Sequence, residues 1–140
     1  MRDLDGWLAH ISAQHWQTID MGLSRMQKMV AKLGVERPAA KIITVAGTNG
    51  KGSTCVACEA LLLEEGVRVG TTLSPHISRF NERIRIDGIE ADDELICAAF
   101  TAVDAQRGDT PLTYFEYSAL AALWCFKKCN VDVAILEIGL

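Results

Sequence analysis

The sequence predicts an α/β fold, a parallel sheet flanked by helices and preceded by a helical segment, and three observations predict it. A β-branched run, "KIITVA" at 41–46, passes through a glycine turn into "STCVACEALLLEEG", which reads as an apolar helix of about one dozen residues stopped by Gly66. A second short strand, "VRVGTTL" at 67–73, follows at once, so strand, helix and strand succeed one another and the strands should be parallel. "VDVAILEIGL", at 131–140, is a near-continuous apolar run of the kind that forms a buried strand.

The remaining elements follow in order. "LDGWLAHISAQHWQT" reads as a short helix and a connecting loop. In "MGLSRMQKMVAKL" the residues Leu23, Met26, Val30 and Leu33 recur at helical spacing, with Asp20 placed to cap the helix and Gly34 to end it. Residues 1–40 are therefore expected to form a helical lead-in, and residues 41–140 the front part of a sheet domain. "SPHISRFNERIRIDGIEA" is a polar loop running into a small hairpin at Asp87-Gly88. "DDELICAAFTAVDAQRG" is a helix with acids in its first turn, which suits the helix dipole, and "YFEYSALAALWCFKKC" is a second, more apolar one.

Composition narrows the function classes. With 140 residues, 49% hydrophobic and 23% charged, the chain is long enough for one domain with a core. A net charge of -4 argues against a nucleic-acid binder, whose footprint is basic. No signal peptide or membrane span is evident, which makes a cytoplasmic protein the expectation. The five cysteines, an odd number, sit mostly in apolar helical stretches and read as packing residues rather than a disulfide framework. Cys55 and Cys58 have the spacing of a zinc or redox pair, but no second pair accompanies them.

The chemistry concentrates in "VAGTNGKGSTC" at 45–55. A phosphate loop usually reads G-x-x-x-x-G-K-[ST], whereas here Val45 stands at the first position and Gly52 replaces the hydroxyl after Lys51. The physical requirements are nonetheless met. Gly47, Gly50 and Gly52 allow close backbone approach to an anion, the helix that follows offers its N-H groups and positive dipole end, and Lys51 adds a full charge. Hydroxyls stand at Thr48, Ser53 and Thr54, beside Asn49. Glu137 closes the last strand at the sheet edge where ligands of open α/β folds bind, and Ser74 reaches the same edge, so both are candidate oxygen ligands for Mg²⁺. His76, Arg79, Arg83 and Arg85 gather in one loop, a cluster suited to an anionic substrate or equally to solvent. His10 and His15 have no metal spacing with anything nearby.

Four stretches taken together, "TVAGTNGKGST", "SPHISRFNERIRIDG", "LTYFEYSALAALW" and "ILEIGL", resemble the N-terminal part of the bacterial bifunctional dihydrofolate synthase/folylpolyglutamate synthases of the Mur ligase superfamily, from about Trp7 to Leu140. In that family the G-T-N-G-K-G-[ST] loop is normal, so Gly52 is the family's own variant. The resemblance implies an incomplete Mur-ligase-type ATPase domain, phosphate-loop-containing and Rossmann-like. It also implies chemistry in which ATP phosphorylates a carboxylate of dihydropteroate or of a reduced folate, and the amino group of L-glutamate attacks the acyl phosphate. Gly47, Thr48, Asn49, Gly50, Lys51, Gly52, Ser53 and Thr54 would contact ATP, with Lys51 catalytic. Ser74 and Glu137 would bind Mg²⁺. Thr18, Ile19, Asp20 and Met21, together with Thr113, Tyr114, Phe115 and Glu116, would line the pteroate site, with His76, Arg79 and Arg83 toward the anionic substrate.

The full-length protein is expected to be a monomer, while the 140-residue chain is expected to be inactive alone and able to self-associate through an uncovered sheet edge. A ligase of cell-wall precursors and a non-catalytic nucleotide-binding module stand as the alternatives. The "TIDM" and "LTYFEYSALAALW" segments favour the folate branch.

Overall fold

The computed structural model describes residues 2–14 and 23–138. Helix α1 spans Leu4–Ala13, capped by Asp3, whose side chain accepts from the Gly6 amide. Helix α2 spans Ser24–Leu33 and ends on Gly34 at φ 69°, the left-handed conformation for which glycine carries no Cβ penalty. Asp20, the expected cap of this helix, lies outside the described residues, as do His15, Thr18, Ile19 and Met21. Strand β1 (Lys41–Val45) leads into α3 (Lys51–Glu64), and β2 is Val69–Thr72. A 3₁₀ turn at Phe80–Arg83 precedes the hairpin β3 (Ile84–Ile86) and β4 (Ile89–Glu90). Helices α4 (Asp93–Arg107) and α5 (Tyr114–Lys128) follow, then β5 (Val133–Glu137). The hairpin turns at Asp87 and Gly88, at φ 52° and 81°, the positive angles that a tight two-residue turn demands.

The sheet order is β1-β5-β2-β3-β4. Strands β1, β5 and β2 run parallel, and β3 and β4 antiparallel. The expected strand-helix-strand unit is present and parallel, but β5, from the far end of the chain, lies between its two strands. The α/β class is borne out, with an antiparallel hairpin added at one edge.

Alternation along β5 explains the layering. Val133 and Ile135 point to the α3 side, where they join Cys55 of α3 and Val69 of β2, while Ala134 and Leu136 point to the opposite core of α4 and α5. Helices α1 and α2 share that second core through Leu4, Trp7, Ile11 and Met29. Gly70 on β2 lets α5 close on the sheet, since a Cβ there would stand 2.3 Å from the buried Phe126 ring. Each large side chain buried this way contributes roughly 1.5–3 kcal/mol.

Two expectations need correction. The β-branched composition of 41–46 suits a buried strand, yet Lys41, Ile42 and Thr44 are exposed, because β1 is an edge strand of the sheet. The cysteines are all free, but only Cys55 and Cys125 are buried, with Cys58, Cys97 and Cys129 partly so. Burial raises the Cys55 thiol to about 11 and that of Cys125 to about 12, so both behave as small hydrophobes.

Candidate functional site

Parallel pairing brings the carboxyl ends of β1, β5 and β2 to one edge. Val45 pairs with Glu137, Thr72 with Leu136, and the Ile138 amide donates to the Val45 carbonyl at 2.8 Å. The glycine loop therefore leaves the sheet directly beside Glu137. Ser74 stands two residues beyond the end of β2.

Within the loop, Gly47 has φ 151° and Gly50 φ 74°, both conformations that a side chain resists. Gly50 is the N-cap of α3, which has no side-chain cap. Asp3, Asp92 and Thr113 cap α1, α4 and α5, so their first amides are already partly satisfied. The first amides of α3 instead face the loop and are suited to an anion. The Lys51 side chain curls back over the loop, its Cγ lying 3.9 Å from where a Gly47 Cβ would stand. At Gly52 an added Cβ would stand 3.6 Å from Glu137 Oε2. The place of the usual hydroxyl thus lies beside a carboxylate. The Thr54 hydroxyl donates to the Gly50 carbonyl at 2.9 Å, which turns it into its own helix.

Two cavities meet at this edge. One, of about 370 Å³, is lined by Gly50, Lys51, Gly52, Ser74, Glu82 and Glu137, among others. The second, of about 200 Å³, is mostly apolar and includes Arg83, Phe115, Ser118, Leu123 and Ile138. Leu73, Ser74 and Glu137 line both. A hydroxyl and a carboxylate therefore stand between a basic loop and an apolar pocket, and as hard oxygen donors they fit a magnesium ion. Among the described residues no cluster of three or more His, Cys, Asp or Glu could hold a metal, so water and phosphate oxygens would complete the coordination, which is how Mg²⁺ is usually bound.

The arginine cluster separates. Arg83 donates from Nε to His76 Nδ1 at 2.7 Å, and its guanidinium lies 5.4 Å from the Tyr114 ring centre and 5.6 Å from that of Phe80. Arg79 is exposed. Arg85 points away, to Glu59, a buried carboxylate that also accepts from Thr71 at 2.7 Å. The Glu59 hydrogen bond raises the Arg85 pKa despite its burial. Thr113 and Glu116 form a reciprocal cap at the start of α5, and Glu116 also accepts from Arg25 at 2.9 Å. Of the 113–116 segment, Phe115 lines the apolar cavity.

Sequence reasoning passed over Arg25, Glu59 and Glu82. Glu82 carried a faint signal, as the fourth residue of R-F-N-E, the spacing of a cap. For Arg25 and Glu59 the partners lie 91 and 26 residues away, and nothing local points to them.

A glycine loop opening a helix at the carboxyl edge of a parallel sheet, with two oxygen donors beside it, defines the class as an α/β unit of the architecture in which ligands bind at that edge. Comparison then narrows the resemblance. The chain is 47% identical over 137 residues, 98% of its length, to the dihydrofolate synthase/folylpolyglutamate synthase of Escherichia coli, and 46% identical over 134 residues to that of Haemophilus influenzae. The structure of Escherichia coli FolC in complex with DHPP and ADP superposes with a TM-score of 0.95 over 99% of the chain. The bifunctional enzyme of Yersinia pestis complexed with AMPPNP and Mn ion superposes with 0.96 at 46% identity. No family model matches. The resemblance carried by the four motifs is borne out, and the chain spans about a third of the length of these relatives, 32% and 30% of the two sequences and 34% of each structure.

Proposed function

We propose that this chain supplies the phosphate-binding loop and two magnesium ligands of an ATP-dependent carboxylate-amine ligase, one that joins L-glutamate to dihydropteroate or to the glutamate tail of reduced folates. The observation that carries the reading is that Ser74 and Glu137 line both cavities. A group held in the apolar pocket and a phosphate held on the loop would meet at those two residues. The relatives support the ligands, since their structures contain ADP or AMPPNP, DHPP, Mn and, in one further complex of a bifunctional folylpolyglutamate synthase/dihydrofolate synthase, L-glutamate.

The roles follow from chemistry. A carboxylate is a poor electrophile until phosphorylation provides a leaving group. Gly47, Thr48, Asn49, Gly50 and Gly52 are proposed to present backbone amides to the ATP phosphates, with Ser53 and Thr54 opening the helix behind them. Lys51 balances charge on the transferring γ-phosphoryl group. Ser74 and Glu137 hold Mg²⁺, which when bound offsets phosphate charge. Phe115 and Tyr114 offer ring surface to the pterin of dihydropteroate, with Arg83 toward the substrate's carboxylate end. Thr113 and Glu116 hold the start of α5 in place. His76 orients Arg83, and Arg79 is assigned to incoming anionic substrate. Thr18, Ile19, Asp20 and Met21 are proposed for the same pocket, which gives the 1–40 lead-in a substrate-facing purpose.

The test is an assay of the full-length gene product with ATP, Mg²⁺, dihydropteroate and glutamate, where ADP release should require both carboxylate and amine substrates. Lys51→Ala should lower nucleotide affinity roughly 10- to 100-fold, the loss of a charged hydrogen bond worth about 1.5–3 kcal/mol. Unchanged nucleotide affinity in calorimetry would overturn the loop assignment.

A further inference from the structure

Glu82 lines the loop cavity together with Lys51 and Ser74, and it takes no part in the roles above. Its carboxylate accepts from three successive backbone amides, Ile77 at 2.9 Å, Ser78 at 2.9 Å and Arg79 at 2.8 Å. A glutamate at the third position of a helical turn ordinarily reaches back to one amide, that of the cap. Here the Arg79 bond does that, and the Ile77 and Ser78 bonds reach beyond the turn into the segment that carries Ser74.

Both carboxylate oxygens are committed, Oε1 to Ile77 and Oε2 to Ser78 and Arg79, so Glu82 is poorly placed to become a metal ligand itself. Around it the same segment is pinned twice more. Arg83 holds His76, and the Leu73 amide donates to the Arg83 carbonyl at 2.9 Å. Residues 73 and 76–79 are thus anchored on both sides of Ser74 by the consecutive residues Glu82 and Arg83. Any freedom in 75–79 would move the Ser74 hydroxyl relative to Glu137, which is fixed in the central strand β5.

We propose that Glu82 is a positioning residue that holds the 75–79 segment on its amides and so sets the Ser74 hydroxyl at the magnesium position beside Glu137. The inference rests on the nucleotide-and-magnesium reading of the cavity. It predicts a defect in metal use larger than any in substrate recognition, since His76 and Arg79 lie in the same segment.

The experiment uses the full-length protein and reads ADP release as a function of Mg²⁺ concentration. Glu82→Ala should raise the half-saturating Mg²⁺ at least tenfold, a larger change than in KM for dihydropteroate, and Glu82→Gln, with one acceptor oxygen, should fall between. In a Ser74→Ala background the shift from Glu82→Ala should vanish, because the residue through which it acts is gone; a shift of equal size there would overturn the proposal. Amide hydrogen exchange supplies a readout independent of activity, with protection at 77–79 expected to fall in both variants. Should Glu82→Ala fail to fold, Glu82→Gln decides, and unchanged exchange at 77–79 or an unshifted Mg²⁺ dependence overturns the proposal. Wild-type protein lacking any Mg²⁺-dependent ADP release would instead overturn the reading of the cavity beneath it.

Discussion

Gly52 and Glu137 face each other across the candidate site, with the missing Cβ of the glycine 3.6 Å from a carboxylate oxygen. In a standard phosphate loop that position carries a hydroxyl for magnesium. Here the strand beside it supplies a carboxylate. The loop's departure from the general pattern and the acid at the end of β5 are therefore one feature, joined by the pairing of Val45 with Glu137.

Gly52→Ala should separate stability from binding. The methyl fits at ordinary contact distance in the first turn of α3, and replacing glycine there should stabilise the fold by roughly 0.4–1 kcal/mol. The same methyl intrudes between the loop amides and Glu137. Thermal melting should rise slightly while magnesium-nucleotide affinity falls several-fold in calorimetry, and a variant with tighter binding would contradict the placement of the metal.

Glu59→Ala should be among the most damaging single changes outside the site. Glu59 is 2% exposed and takes hydrogen bonds from Thr71 and from Arg85, tying α3 to β2 and β3. Removing one partner of a buried pair strands the other, at a cost of about 3–5 kcal/mol, and the partial exposure of Arg85 places this case near the lower end. Urea denaturation is the measurement, and a loss below about 1 kcal/mol would show that the pair is not coupled.

Gly70→Ala should destabilise by about 3 kcal/mol through overpacking. Phe126 is fully buried, and three of its ring atoms lie within 2.8 Å of the new Cβ. Helix α5 must then lift from β2. A Phe126→Leu change in the same chain should recover part of the loss in thermal melting.

The Glu82 carboxyl should titrate far below its usual range. The amides of Ile77, Arg79 and Ser78, in that order, stabilise its charged form and lower its pKa from 4.5 to about 2. Because the folded pKa is the lower one, the stability these bonds contribute is fully present above about 4.5 and is lost as pH falls toward about 2. Carboxyl NMR titration should give a midpoint near the lower value, and a midpoint near 4.5 would mean that the three bonds do not form in solution.

Much of the architecture is legible locally because its determinants lie within a few residues of one another. Gly34 and Gly66 end helices α2 and α3 through positive φ, at 69° and 76°, and Asp87-Gly88 dictates a tight turn. The Thr113 and Glu116 cap is written in four residues, and its reciprocal bonds are made as such a pattern requires. The reading failed where burial depends on neighbours. β1 has the composition of an interior strand but sits at an edge, and Arg85 was grouped with His76 and Arg83 although its partner lies on α3, where it faces a different side of the sheet.

By itself the sequence determined the elements, their order, the glycine loop and the resemblance to folate ligases, because hydrophobic period, capping and φ preference are local properties. Only the tertiary structure decided that β5 enters between β1 and β2, that Ser74 and Glu137 line both the loop cavity and the apolar one, and that Glu82 clamps the segment beside them. Those relationships join residues tens of positions apart. Strand register and the burial of both sheet faces select them together, and no short stretch of chain carries that information.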